Sequence, residues 1–231
     1  MDALGLGIVL YAVFVCSVTV HEAAHAWAAK RGGDPTAYLG GQVSLDPRPH
    51  MRREPFGMVI VPLLGVATAG WPFGWASSPY DPQWAHAHPR RAGWMSLAGP
   101  AANLLLVCAA GLGIEVGLLF GWFEPPDAVS FAAVTGAQGA LARVAALAVS
   151  VLFSMNLLLF LLNMIPLPPL DGSTVLLLVL PEPWTERYQQ LLRTPAFAWM
   201  SLLLVFGFFG QLFRPVFLFA VNLLYPFASY G

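Results

Sequence analysis

The sequence predicts an all-α polytopic membrane protein with about four transmembrane helices and a short membrane-associated β or re-entrant segment after the first helix. Three observations predict it. Hydrophobic residues make up 58% of the 231-residue chain and charged residues 10%, with a mean hydropathy of +0.68, well outside the range of soluble domains. Apolar runs of bilayer-spanning length, roughly 20 residues, occupy 3–29, 93–123, 140–162 and 196–213. Between the first two lies a segment, 32–91, too long for a simple connection and carrying apolar pieces of its own. With no polar linker or sustained repeat, 1–231 reads as one membrane-embedded domain.

The elements follow in chain order. The start, MDALGLG, carries an acid instead of a positive leader region, and the apolar run behind it is too long for a signal peptide, so the first span is expected to stay in the mature protein. Cys16 and Cys108 both lie in apolar runs, which indicates neither a disulfide framework nor a cysteine metal site. Residues 38–45 alternate weakly around Gly40 and Gly41, suggesting a short hairpin or edge strand, and DPRP at 46–49 is a turn signal. The run 58–70, broken by Pro62 and Gly65, is too short to cross and reads as a re-entrant piece packed against protein. The third span should end near Asn163, because Pro166, Pro168 and Pro169 stop the helix. The stretch 213–225, bounded by Pro215 and Pro226, is expected to be a bent continuation of the fourth span or an interfacial segment.

Basic residues set the expected orientation, since short Lys- and Arg-rich loops stay cytoplasmic. Lys30, Arg31, Arg48, Arg52, Arg53, Arg90 and Arg91 lie between the first two spans, and Arg187 and Arg193 between the last two, whereas 124–139 has no basic residue and carries Glu124 and Asp127. Both termini are therefore expected outside. A formal net charge of −1 gives no sign of a nucleic-acid partner.

Into this charge-poor chain the first span places HEAAH at 21–25. His21 and His25 are one helical turn apart on one face, and Glu22 is rotated about 100° from His21. Two imidazoles so spaced can share one zinc, which in catalytic sites takes a third protein ligand and a water, with the glutamate as general base. Ionisable groups in a bilayer are costly and are retained where they function. The histidines precede Lys30 by 5 to 9 residues, roughly 8 to 14 Å below the membrane surface. A third ligand is offered by Asp171, in NMIPLPPLDGS, just after the proline-broken end of the third span. Its alternative is an N-cap of the apolar run that follows; a buried carboxylate needs a partner, and a zinc on two histidines is a suitable one.

At this point the chain resembles the site-2 proteases, intramembrane zinc metalloproteases. HEAAH matches the family's HExxH, NMIPLPPLDG at 163–172 its N-x-x-P-x-P-x-L-D-G element, and SLAGPAANLLL at 96–106 its G-P-x-x-N helix. Ser173 departs from a frequent second glycine, and no PDZ or CBS domain is seen. The resemblance implies one Zn²⁺ per chain on His21, His25 and Asp171, with Glu22 as general base. It implies a β structure in the glycine-rich segment after the first helix, and a role for the Asn103 amide in steadying the substrate carbonyl or oxyanion. It implies transmembrane-helix substrates in a bacterial or archaeal cell membrane. An unwound substrate is expected to add as a strand to the 38–45 edge. Asn163 is left open between packing and a site role, Asn156 and Asn222 read as packing residues, and His86 and His88 as solvated loop histidines. The rival functions are a catalytically inactive helix-binding scaffold and a metal permease. A permease should line a path through several spans with polar groups, and an inactive relative should have lost Glu22 or a ligand; neither pattern is present.

Overall fold

A computed structural model of the chain describes residues 3–228 and 230–231. Four helices are long and apolar enough to cross a membrane: α1 (Ala3–Gly32), α6 (Pro89–Leu119), α7 (Ala140–Asn163) and α10 (Pro195–Leu224). Shorter helices fill the connections: α2 (Thr36–Leu39), α3 (Pro47–Arg53), α4 (Val61–Ala69) behind a π-helical turn at Phe56–Ile60, α5 (Pro82–Ala87), α8 (Asp171–Val175) and α9 (Glu182–Leu192). The chain is a helical multi-pass membrane protein, as the composition requires.

α6 is the central element, packed against both α1 and α7. Leu10, Phe14, Val15 and Val18 of α1 meet Val151 and Met155 of α7 and the fully buried Met58 in one apolar cluster. Val107, Ala110 and Ile114 of α6 meet Phe153, Leu157, Phe217 and Val221 in the other. Each buried side chain of this size contributes about 1.5–3 kcal/mol where water is the alternative. Between two helices in lipid the gain is close packing. α10 is the least buried span, with Trp199, Leu203, Phe206 and Leu223 exposed toward what a bilayer would fill. It runs unbroken through Pro215 to Leu224, so 213–225 continues the fourth span and is not a separate interfacial segment.

The segment after α1 corrects the sequence expectation. Among the described residues there is no β-strand, and 38–45 is not a hairpin or edge. Instead α2 ends in a tight turn: Gly41 has φ +75°, open to glycine and strained for other residues, and Gln42 N–H returns to Ala37 O at 2.9 Å. The backbone groups that a ladder would need are spent within that turn. The expected strand addition of substrate therefore has no strand here to receive it, and the β structure implied by resemblance is absent as well. DPRP is a helix start: Asp46 accepts from Arg48 N–H at 3.0 Å, with Pro47 in the first turn.

The run 56–69 is helical throughout; its 14 residues reach roughly 21 Å, short of the ~30 Å hydrocarbon core. It is fastened by the returning chain, where Trp75 N–H donates to Gly57 O at 3.1 Å. Asp34 closes the segment, accepting from Thr36 N–H and hydroxyl and from Asp81 N–H at 2.8 Å. Burial alone would raise its pKa, but these hydrogen bonds outweigh it and hold the carboxyl below its ordinary value.

Candidate metal centre

α1 is uninterrupted by proline, so His21 and His25 stack on one face toward α6, both nearly inaccessible to solvent. α7 ends at Asn163, and the proline-rich turn brings the chain back so that Asp171 opens α8. Gly172 is packed so closely on the Met164 and Ile165 carbonyls that a methyl group there would overlap them. This seats Asp171 against the histidines. His21 Nε2 lies 3.1 Å and His25 Nε2 3.3 Å from Asp171 Oδ2, and the two Nε2 atoms are 2.9 Å apart. Among the described residues these three form the one group of three or more His, Cys, Asp or Glu donors close enough to share an ion. Asp171 is not the N-cap of α8: that position is Leu170, without a side-chain cap bond.

The other nitrogen of each ring decides what the cluster can hold. His25 Nδ1 lies 2.7 Å from the Met95 carbonyl and His21 Nδ1 2.5 Å from Asn103 Oδ1. Both partners are acceptors, so both Nδ1 atoms carry the proton and both neutral rings turn a bare Nε2 lone pair inward. In the neutral rings two imidazole lone pairs and a carboxylate oxygen thus converge on one point. Such an arrangement is repulsive until a cation enters. A tetrahedral ion with bonds of about 2.0–2.1 Å separates its donors by about 3.3–3.4 Å, close to the distances found, so the residues fit zinc.

Asn103, completely buried, stands behind His21. Its Nδ2 donates to Asn156 Oδ1 at 2.8 Å and, more weakly, to Ser17 O at 3.5 Å. Asn156 Nδ2 donates to Ser17 Oγ at 2.9 Å and to Leu152 O at 2.8 Å. The amide N–H groups of Asn103 are therefore engaged away from the cluster, and its Oδ1 is the atom that meets His21. Asn156, read from sequence as packing, is the anchor of this chain of bonds. Asn163 donates to Leu159 O of its own helix at 3.0 Å. His86 and His88 are exposed, as expected of them.

Glu22 is buried, and its Oε2 has no hydrogen-bond partner. It neighbours His21 in the chain yet is absent from the donor group, so it borders the cluster without belonging to it. An orphaned buried carboxylate oxygen costs about 1–3 kcal/mol or more and calls for a chemical reason. The last component is Gly99, from G-P-x-x-N: a Cβ there would press on both His25 Nε2 and His21 Nε2. The bare glycine lets α6 close over the site.

A membrane helix carrying two histidines, and a carboxylate delivered to them by a proline turn, form a candidate metal centre in a multi-pass membrane protein. Comparisons with known proteins agree. The chain belongs to the site-2 proteases, Peptidase family M50, whose sequence model matches residues 9–205. It is 33% identical over 168 residues to "Putative zinc metalloprotease YwhC" of Bacillus subtilis (strain 168), covering 72% of this chain and 67% of that one. It is 29% identical over 205 residues to "Putative zinc metalloprotease Rip2" of Mycolicibacterium smegmatis, covering 89% and 68%. The Mycobacterium tuberculosis (strain ATCC 25618 / H37Rv) protein of the same name is 31% identical over 204 residues, covering 87% and 68%. No solved structure matches this chain.

Proposed function

We propose that this chain, as a single membrane-embedded metalloprotease domain, hydrolyses peptide bonds within transmembrane segments of membrane-anchored substrates. The observation that carries the reading is the inward convergence of two fixed imidazole lone pairs and Asp171 beside the unpartnered Glu22. His21, His25 and Asp171 would hold one Zn²⁺. When bound, zinc supplies Lewis acidity, lowering the pKa of a coordinated water toward ~7 and polarising the scissile carbonyl. Glu22 takes the proton of the attacking water at its free Oε2 and passes it to the leaving amine. Asn103 and the Met95 carbonyl keep both rings in the donor-ready tautomer. Asp171, about one-fifth exposed while the histidines are nearly sealed, marks the side from which water and substrate approach.

The test is cleavage of transmembrane test peptides by the purified full chain in detergent. Cleavage should stop on chelation and return with zinc. Asp171→Asn should lose stoichiometric zinc, because the donor set loses its only charge. Asn156→Ala should bind zinc about 10–100-fold more weakly, the usual effect of removing an outer-shell partner. Undiminished cleavage in chelator would sink the metalloprotease reading. Zinc bound at parent affinity in Asp171→Asn would remove Asp171 from the ligand set.

We further propose that the active site faces the cytoplasm and both termini face outside. The support is the gathering of nine of the eleven Lys and Arg residues at or between the span ends on one side, with Arg143, at the start of α7, and Arg214, in the second half of α10, the exceptions. Reporters inserted near Arg52 should read as cytoplasmic and terminal tags as external; a cytoplasmic N-terminal tag reverses the assignment.

A further inference from the structure

A cavity of about 610 Å³ opens between α1 and α6, and none of His21, Glu22, His25 or Asp171 lines it. Its lining includes Arg31 and Arg91, Trp27 and Trp94, and Ala98 and Ala101. Arg31 is in the last turn of α1 and Arg91 in the first turn of α6, so both guanidinium groups lie where two adjacent spans leave the membrane. Both are held in place: Arg91 Nη1 donates to Gly32 O at 3.2 Å, and the Arg31 guanidinium carbon lies 5.5 Å from the Trp27 ring centre. No carboxylate lines the cavity. The nearby Asp34 is already occupied by Thr36 and Asp81. Lys30, the remaining cation at this end of α1, sits over the Tyr38 ring at 3.2 Å and points its charge elsewhere.

Helix rise orders these groups by depth. Relative to the arginines, the two indoles are roughly 4–6 Å deeper, and Ala98 and Ala101 roughly 10–15 Å deeper. Trp27 and Trp94 are 53% and 63% exposed. The sequence cation, amphipathic ring, small apolar floor matches phosphate, glycerol ester, acyl chain. Paired arginines bind phosphate oxygens by fork-like hydrogen bonds, tryptophan settles at the headgroup level, and basic pockets between spans take anionic headgroups. A soluble anion would leave the indoles and the apolar floor without a partner, and a substrate helix would leave the two guanidinium groups without one. We propose that the α1–α6 groove is a binding site for one anionic phospholipid, its phosphate between Arg31 and Arg91 and an acyl chain along Ala98 and Ala101.

The experiment is native mass spectrometry of the full chain released from neutral detergent after incubation with equal amounts of phosphatidylglycerol and phosphatidylcholine. One phosphatidylglycerol per chain should be retained in preference to phosphatidylcholine. Arg31→Gln combined with Arg91→Gln should reduce retention about 30-fold, while Arg48→Gln combined with Arg52→Gln, the same change of charge elsewhere on that side, should not. Trp94→Ala, which leaves both arginines in place, should also reduce it, and serves as the deciding variant if the double arginine variant loses its fold. Equal retention of the two lipids overturns the proposal. So does an equal loss in the control pair, or displacement of the lipid by millimolar inorganic phosphate or by a transmembrane test peptide.

Discussion

Glu22→Gln should bind zinc one per chain and bind transmembrane peptides as the parent does, yet turn over about 10²–10⁴-fold more slowly, the usual contribution of a general base. Glu22 has no partner on Oε2 and is absent from the donor group, so the amide, nearly identical in shape, removes only the ability to accept a proton. His21→Ala and His25→Ala should fail differently, by losing the metal itself. Zinc content by elemental analysis and cleavage rate, measured on the same preparations, separate the two failures. A Glu22→Gln chain that cleaves at the parent rate would end the protease proposal and restore the scaffold and permease readings. One that loses zinc would show the glutamate to be a ligand.

Gly99→Ala should abolish tight zinc binding although it adds only a methyl group. In a helix interior the change from glycine to alanine is ordinarily favourable by about 0.8–1 kcal/mol, so α6 itself should be stabilised. The new Cβ, however, would overlap His25 Nε2 and His21 Nε2, and both rings are fixed from behind by the Met95 carbonyl and Asn103. Neither ring can yield without breaking a buried hydrogen bond. Zinc affinity should therefore fall by at least the ~10–100-fold that loss of an outer-shell partner causes. Gly207→Ala and Gly210→Ala, in α10 with open space around both positions, are the controls and should leave zinc content unchanged. Parent affinity in Gly99→Ala would mean that α6 moves aside freely and that its close approach is not part of the site.

The grouping of His21, His25 and Asp171 was legible in the sequence because each residue is announced locally. HEAAH shows its geometry through helical periodicity, and Asp171 is set off by prolines that cannot continue α7. The spans were legible for the same reason, to within a few residues at most ends; the fourth ran further because the helix continues through Pro215. What supports the donors was not legible. The bonds from Ser17 to Asn156 and from Asn103 to His21 join residues 139 and 82 apart in the chain, and no spacing rule connects them. The sequence identified Asn103 as unusual, and resemblance pointed its amide at the substrate, whereas its oxygen is the end that faces the site. The segment after α1 misled because glycines in a weakly alternating run fit a hairpin and a helix-ending turn equally well. Only the positive φ at Gly41 and the return of Gln42 to Ala37 decide between them.

The distance along the chain between His21 and Asp171, 150 residues, also sets a clock. A ribosome adds about 5–20 residues per second, so a nascent chain carries its histidine pair for roughly 8–30 s before the carboxylate exists. During that interval α1 and then α6 can enter the membrane with Glu22 already present, but the three-donor group is incomplete until α7 has been made and the chain has turned back. On the proposed function, a growing chain therefore has no finished centre with which to attack its neighbours or itself, and the order of synthesis alone would delay its chemistry until three of its four spans have been made.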